Sequence, residues 1–343
     1  MRVLTAFRVL NAAAAVALIA GCAGAGNSAF APSPVTSQAG APFLTERSPG
    51  HFQFDMDVRT RLRFASYYAC PFEGAVEYVS DAFNNVIYVY SGKFAGQAPC
   101  GLIASASLSS PRGLYVNAAT HDLYVANWGA SNVLVFHKNR TTPYNTYSDP
   151  TAQDPDDVTV TDDGIVITSN EEATDFVERG SLSTWIGGPN GGTFVGNFPM
   201  TRDYFGLFVT LKQNGMVYFN DVDSVSGIGA LWKVSCPAGM CGAQSRMKGI
   251  SFGNPGGMEF DFAGKLLVND TLASTVDTFN LPNPSPSIKS LPCCPLDMAK
   301  DDLHRHWFYT SITYAAEYSY PSFTLIGTVT DNNGAMFGIA VDP

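Results

Sequence analysis

Six short apolar runs in this chain end on a polar residue: EYVSD, LYVAN, VITSN, VYFND, LLVND and WFYTS. Their last residues are Asp81, Asn127, Asn170, Asp221, Asp270 and Ser311. Arg112, Asp157, Tyr204 and Asp297 open a second set of short runs. Carboxylate and amide oxygens gathered around one opening suit a small polar ligand or a hard cation such as calcium. Arg112 would counter an anionic group there. The same residue types also bond their own backbone to shape turns, so turn-making stands beside ligand binding at every one of these positions.

Other segments carry catalytic spacing without its context. Gly249-Ile250-Ser251-Phe252-Gly253 has the GxSxG spacing of a nucleophile elbow, which needs a strand, a sharp turn and then a helix. Asn254-Pro255-Gly256-Gly257 follows instead and leads into another strand. The glycine-rich run at residues 187–192 has no helix after it to receive a phosphate, and reads as a hairpin loop. His304 and His306 are two apart on a strand-like run, while His51, His121 and His137 do not cluster with them. The expected place for the pair is a solvated surface. Trp128, Trp185, Trp232 and Trp307 read as packing residues, with Trp128 beside Asn127 and near the polar opening. No nucleophile–base pair assembles, so the expectation is a binding module rather than an enzyme.

The elements that must position these residues form a repeat. PRGLYVNAATHDLYVANWGASNVLVFHKNRTTPYNTYSD, residues 111–149, divides into four short strands bounded by turn residues. The start of its first strand recurs as PDDVTV, YFGLFV, PGGMEF, PLDMA and FGIAV. Taking Gly113, Asp157, Gly206, Gly257, Asp297 and Gly338 as equivalent gives spacings of 44, 49, 51, 40 and 41 residues. Four strands per period of that length predict an all-β fold, a six-bladed β-propeller of four-stranded antiparallel blades over residues 51–343. The terminal FGIAVDP reads as an inner strand that joins the amino-terminal blade and closes the ring, removing open edges. In that fold inner strands start, and second strands end, on one face, which places the polar set around one channel mouth.

With YVSD, YVAN and PxGL repeats over roughly residues 70–343, the chain resembles the NHL-like and gluconolactonase/regucalcin-like six-bladed propellers. The gluconolactonase-like group holds a divalent cation in its channel with a Glu, two Asn and an Asp and hydrolyses lactones. The resemblance implies Asn127, Asn170 and Asp221 or Asp270 as part of that set. The sequence departs from the pattern in having no glutamate at an inner-strand start. A metal-dependent lactonase-like hydrolase is therefore the alternative function, and a structural envelope protein a further one.

The amino terminus sets the compartment. Arg2 and Arg8, the apolar run from Ala12 to Ala20, and Ile19-Ala20-Gly21-Cys22 match a lipoprotein leader. The apolar run is far shorter than the roughly 20 residues that span a bilayer. Residues 1–21 are thus read as a signal peptide, Cys22 as the lipidated residue, and residues 22–50 as a proline- and serine-rich tether. The expected location is extracytoplasmic, at the outer membrane in a two-membrane cell, with membrane contact only through the lipid. Loss of the leader leaves 18 basic against 30 acidic side chains, near −12, which argues against nucleic-acid partners. The partners left open are a small molecule, a glycan or an envelope protein, with the chain itself a monomer. Six further cysteines allow 15 pairings. Cys236–Cys241 and Cys70–Cys100 are candidate bridges, and adjacent Cys293 and Cys294 are expected to be reduced or separately paired.

Overall fold

The computed structural model describes residues 66–343, except 72–74, 92–93, 95–97, 152, 172–179, 201–202, 213, 224–227, 293, 302, 304, 332–333, 343 and the side chains of 189, 203–207 and 223. The leader, Cys22, the tether, residues 51–65, Cys293, His304 and the Tyr204 side chain lie outside that set. Residues 62–343 are a compact unit by themselves.

Six antiparallel sheets follow one another along the chain. Blade 2, from the axis outward, is Pro111–Asn117, Asp122–Asn127, Asn132–Phe136 and Asn145–Ser148. Blade 3 is Pro155–Val160, Ile165–Asn170, Ser181–Ile186 and Thr193–Pro199. Blade 4 is Asp203–Leu211, Met216–Asp223, Gly229–Ser235 and Ser245–Arg246. Blade 5 is Pro255–Phe260, Leu266–Asp270, Thr275–Phe279 and Ser287–Ser290. Blade 6 is Met298–Asp301, His306–Ser311, Tyr314–Ser319 and Thr324–Thr330. Blade 1 takes its inner strand, Met336–Asp342, from the carboxyl terminus, followed by Val76–Asp81, Val86–Ser91 and Gly101–Ile103. A fifth strand, Tyr67–Tyr68, lies outside these, an addition the repeat does not announce. The protein is a six-bladed β-propeller closed by its last strand.

Inner strands contact one another in cyclic order, from blade 1 through blade 6 and back. Second strands such as Val76–Asp81 and Ile165–Asn170 are buried along their whole length, because a blade lies against each of their faces. Their β-branched and aromatic side chains suit that two-sided burial. Six apolar clusters result, one in each seam between neighbouring blades. Trp185, Trp232 and Trp307 sit in three of those seams.

Cys70 is bonded to Cys100, which ties the segment carrying the extra outer strand to blade 1. Cys236 and Cys241 close a short loop around Pro237–Gly239. Cys294 is also in a disulfide, with a partner outside the described residues, which leaves the reduced form of the expectation aside and its separately paired form open.

Candidate functional site

The inner strands of blades 1 to 5 show a register irregularity beside the channel, where one strand carries extra residues against its neighbour. Beyond it sits one equivalent residue per blade, and hydrogen bonds fix the equivalence. The N–H of Gly338 donates to Ser80 Oγ at 2.7 Å, and that of Phe208 to Asn220 Oδ1 at 3.2 Å. Blade 4 therefore contributes Phe208 to this level, two residues later than the Gly206 that spacing suggests. The glycines here are steric necessities. A Cβ at Gly338 would stand 2.1 Å from the Arg112 carbonyl oxygen, and one at Gly113 would stand 2.2 Å from Asp157 Oδ1.

Asp157 and Asp297 occupy this level in blades 3 and 6, three blades apart in a ring of six and so on opposite sides of the axis. Each carboxylate bridges two blades. Asp157 accepts from the N–H of Val158 at 2.8 Å and of Val209 in blade 4 at 3.0 Å. Asp297 accepts from Met298 at 2.8 Å and from Ile339 in blade 1 at 3.0 Å. Burial pushes Asp157 up to about 7, with the charge of Glu259 adding to it and the two N–H bonds opposing. Burial and then the charge of Asp157 hold Asp297 well above the carboxylate range.

At the face where inner strands start, the mouth is covered by its own side chains. Phe208 and Phe337 come from opposite blades and stack across the axis with centroids 6.2 Å apart and planes 17° apart. The Arg112 guanidinium lies 5.2 Å from the Phe337 ring and 4.2 Å from that of Trp128. Arg112 is ion-paired with buried Asp156 and, at 2.9 Å, with Glu171. The Trp128 indole N–H donates to Glu171 at 2.8 Å. This Phe–Phe–Arg–Trp stack spans the mouth. Asp156 stands at the repeat position of Arg112, so the alignment itself held the signal for this pair.

The polar second-strand ends turn into their own loops. Asp81 accepts from the N–H groups of Phe83, Asn84 and Ala335, each at 3.0 Å. Asn127 accepts from Ser109 N–H at 2.7 Å and donates to the Ser107 carbonyl and to Asn132. Asn170 donates to Ser181 and Ser183, in a buried network that also takes in Asp149. Asp270 accepts from Gly253, Asn254 and Ala273. Asp221 and Ser311 are buried, the latter beside the Tyr314 hydroxyl. In blades 1, 4, 5 and 6 the residue just before the end reaches sideways. Ser80 donates to the Arg112 carbonyl, Asn220 to that of Gly256, Asn269 to those of Leu296 and Asp297, and Thr310 to that of Phe337. These bonds staple second strands to the next inner strand, a role that the sequence reading did not assign.

Below the carboxylate pair the channel opens into a cavity of about 230 Å³. Alternate inner-strand residues line it, as the two-residue period of a strand requires. Tyr115, Thr159, Thr210 and Glu259 form the wall, one from each of blades 2 to 5. Its rim, at the turns joining first to second strands, carries Asp162, Lys212 and Gly215. The cavity thus has its rim on the face opposite the one where the polar ring was expected. Glu259, absent from the sequence-derived candidates, lies near the end of its strand rather than at a strand start. Ser251 of the GxSxG match is exposed, outside the cavity and not followed by a helix. His306 Nδ1 is 2.8 Å from Glu317.

No protein-family model and no curated protein sequence matches the chain. Solved structures do match in shape. A chain of a nidogen/laminin complex aligns with a TM-score of 0.61 at 11% identity, over 79% of this chain and 99% of that one. A protein of unknown function from Bacteroides caccae aligns at 0.54 and 9% identity, over 79% and 99%. Kuenenia stuttgartiensis hydrazine synthase aligns at 0.52 and 11% identity, over 74% and 82%. At such identities the likeness is one of fold alone.

Proposed function

We propose that this chain is a lipid-anchored extracytoplasmic binding module that holds a small ligand in its central channel. The observation that carries the reading is the cavity of about 230 Å³, walled by hydroxyl and carboxyl side chains and closed at one end by the aromatic–arginine stack. A concave site with a few convergent polar groups is the usual form of a small-molecule site. The Cys70–Cys100 and Cys236–Cys241 bridges agree with an oxidising compartment outside the cytoplasm. The leader and Cys22 supply the route and the anchor.

The test is equilibrium dialysis of residues 24–343 against conditioned growth medium, with retained compounds read by mass spectrometry. A Thr159→Phe variant fills the cavity and serves as the control. The reading expects a compound retained by the wild type and lost from the variant. Identical retention by both would place the site elsewhere. Cell fractionation of a Cys22→Ser variant tests the anchor, which predicts its loss from the membrane fraction.

A further inference from the structure

We infer that the occupant of the channel is a small organic cation, an amine whose ammonium group sits between Asp157, Asp297 and Glu259. This rests on the channel being the binding site and adds the chemical class of its ligand.

Charge is the first argument. Among the described residues the cavity lining carries Asp157, Asp162, Glu259 and Asp297 against a single basic side chain, Lys212. Lys212 belongs to the rim, with its ammonium 5.8 Å from the Phe260 ring, away from the closed end. As these carboxyls ionise they repel an anion at depth and attract a cation.

Geometry separates an ammonium from a bare metal ion. Both carboxyl oxygens of Asp157 and of Asp297 already accept backbone N–H bonds. Those bonds fix the carboxyl groups in the channel wall and leave further lone pairs for added donors. They also hold the groups on opposite sides of the axis, and among the described residues no group of three such side chains is placed to hold a metal ion. An alkylammonium needs only acceptors spaced around it, and Thr159 and Thr210 add hydroxyl oxygens beside Glu259. The Tyr115 ring offers the carbon chain an apolar wall.

The opposed carboxyls also explain how the empty site tolerates its own charge. Burial, with the charge of Glu259 adding to it, raises Asp157 to about 7, and burial with the charge of Asp157 holds Asp297 well above the carboxylate range, so the empty site keeps a proton. A bound cation takes over that neutralising role, and the proton leaves to solvent. Affinity therefore rises as the pH is raised from 6 to 8.

Isothermal titration of residues 24–343 with putrescine, run in two buffers of different ionisation enthalpy, tests this. The uncharged 1,4-butanediol is the matched control. The expected result is putrescine binding with net proton release at pH 6.5, at least tenfold weaker binding of the diol, and at least tenfold loss of putrescine affinity in Glu259→Gln. Thermal midpoints of each variant show that it is folded, and Asp157→Asn repeats the test on a second carboxyl. Equal binding of diol and diamine would overturn the cation assignment and leave the channel as the binding site. Absence of putrescine binding, with a compound still retained in dialysis by wild type alone, would do the same. Putrescine binding that survives Thr159→Phe would place the amine outside the channel and overturn both readings.

Discussion

The two ends of the channel use the same residue types for different ends. At the mouth where inner strands start, Asp81, Asn127 and Asp270 are consumed by loop N–H groups, and Arg112 by Asp156, Glu171 and two aromatic rings. At the turn-side end, Thr159, Thr210 and Glu259 line a cavity beneath a carboxylate pair. Polar residues that recur from blade to blade are there because most blades need the same loop and the same staple. Polar residues that occur on only some blades, such as Glu259 or Asp157, are the ones free to specialise. Recurrence marks structure and departure from recurrence marks a candidate site.

The largest effect that would break this contrast lies at Arg112. Removing one partner of a buried ion pair leaves the other charge stranded, at a cost of about 3–5 kcal/mol. Asp156 is fully buried, so Arg112→Met should lower the unfolding free energy in chemical denaturation by that much and leave putrescine affinity unchanged. Adding Asp156→Leu should recover a good part of the loss. A small stability change together with lost binding would make the mouth, not the cavity, the site.

Asp81→Ala comes next. It strips the acceptor from three backbone N–H groups, and orphaned buried groups cost about 1–3 kcal/mol each before water or relaxation offsets them. About 3 kcal/mol of stability should be lost in urea unfolding, again with binding intact. If Asp81→Ala instead unfolded normally but failed to bind, the loop role would be secondary.

How far the sequence foretold this can be traced residue by residue. The blades, the closing strand and the buried tryptophans follow from period and apolar pattern, since each strand packs on two blades and must be written almost wholly in apolar residues. Register at blade 4 was displaced by two residues, because Gly206 mimics the glycine of other blades while Phe208 holds the position by hydrogen bonding. Asp157 and Asp297 were found from spacing, but the covering of the mouth by Phe208 and Phe337 was not, since it depends on a contact between opposite blades. Glu259 was missed because it lies near the end of its strand, where only the two-residue period, counted from Gly257, shows which way it faces.

pH distinguishes the buried carboxyls by window. A carboxyl whose value is raised on folding binds its proton better in the native state, so stability is fully present below the unfolded value and declines as pH rises through the folded one. Asp157, raised from 3.8 to about 7, should contribute a decline between pH 4 and 7. Glu77, buried in the seam of blades 6 and 1 near Glu317 and Asp301, is raised from 4.5 to about 9 and should extend the decline to that pH. In thermal melts across this range, Asp157→Asn should flatten the lower part and Glu77→Gln the upper. With putrescine present the slope below pH 7 should shrink in the wild type. An unchanged slope would mean that the amine does not meet the Asp157 carboxyl.

The smallest effect is also the sharpest for the contrast. Thr159 is buried, yet its position on the cavity wall gives its hydroxyl no strand to staple, unlike Thr310 or Ser80. Valine keeps the β-branched shape that suits the strand and removes only the hydroxyl. Thr159→Val should therefore change stability by less than about 0.5 kcal/mol, in the range of substitutions that disturb no buried partner. Its putrescine affinity should fall by roughly fivefold, the worth of about one hydrogen bond near 1 kcal/mol. The mirror substitution at a staple, Ser80→Ala, removes a hydroxyl bonded to both Gly338 and Arg112 and should do the reverse: lower stability, unaltered affinity. A pair of hydroxyl deletions with opposite signatures would establish that the two ends divide the work, whereas like signatures would mean that the cavity wall is held together by the same bonds as the mouth.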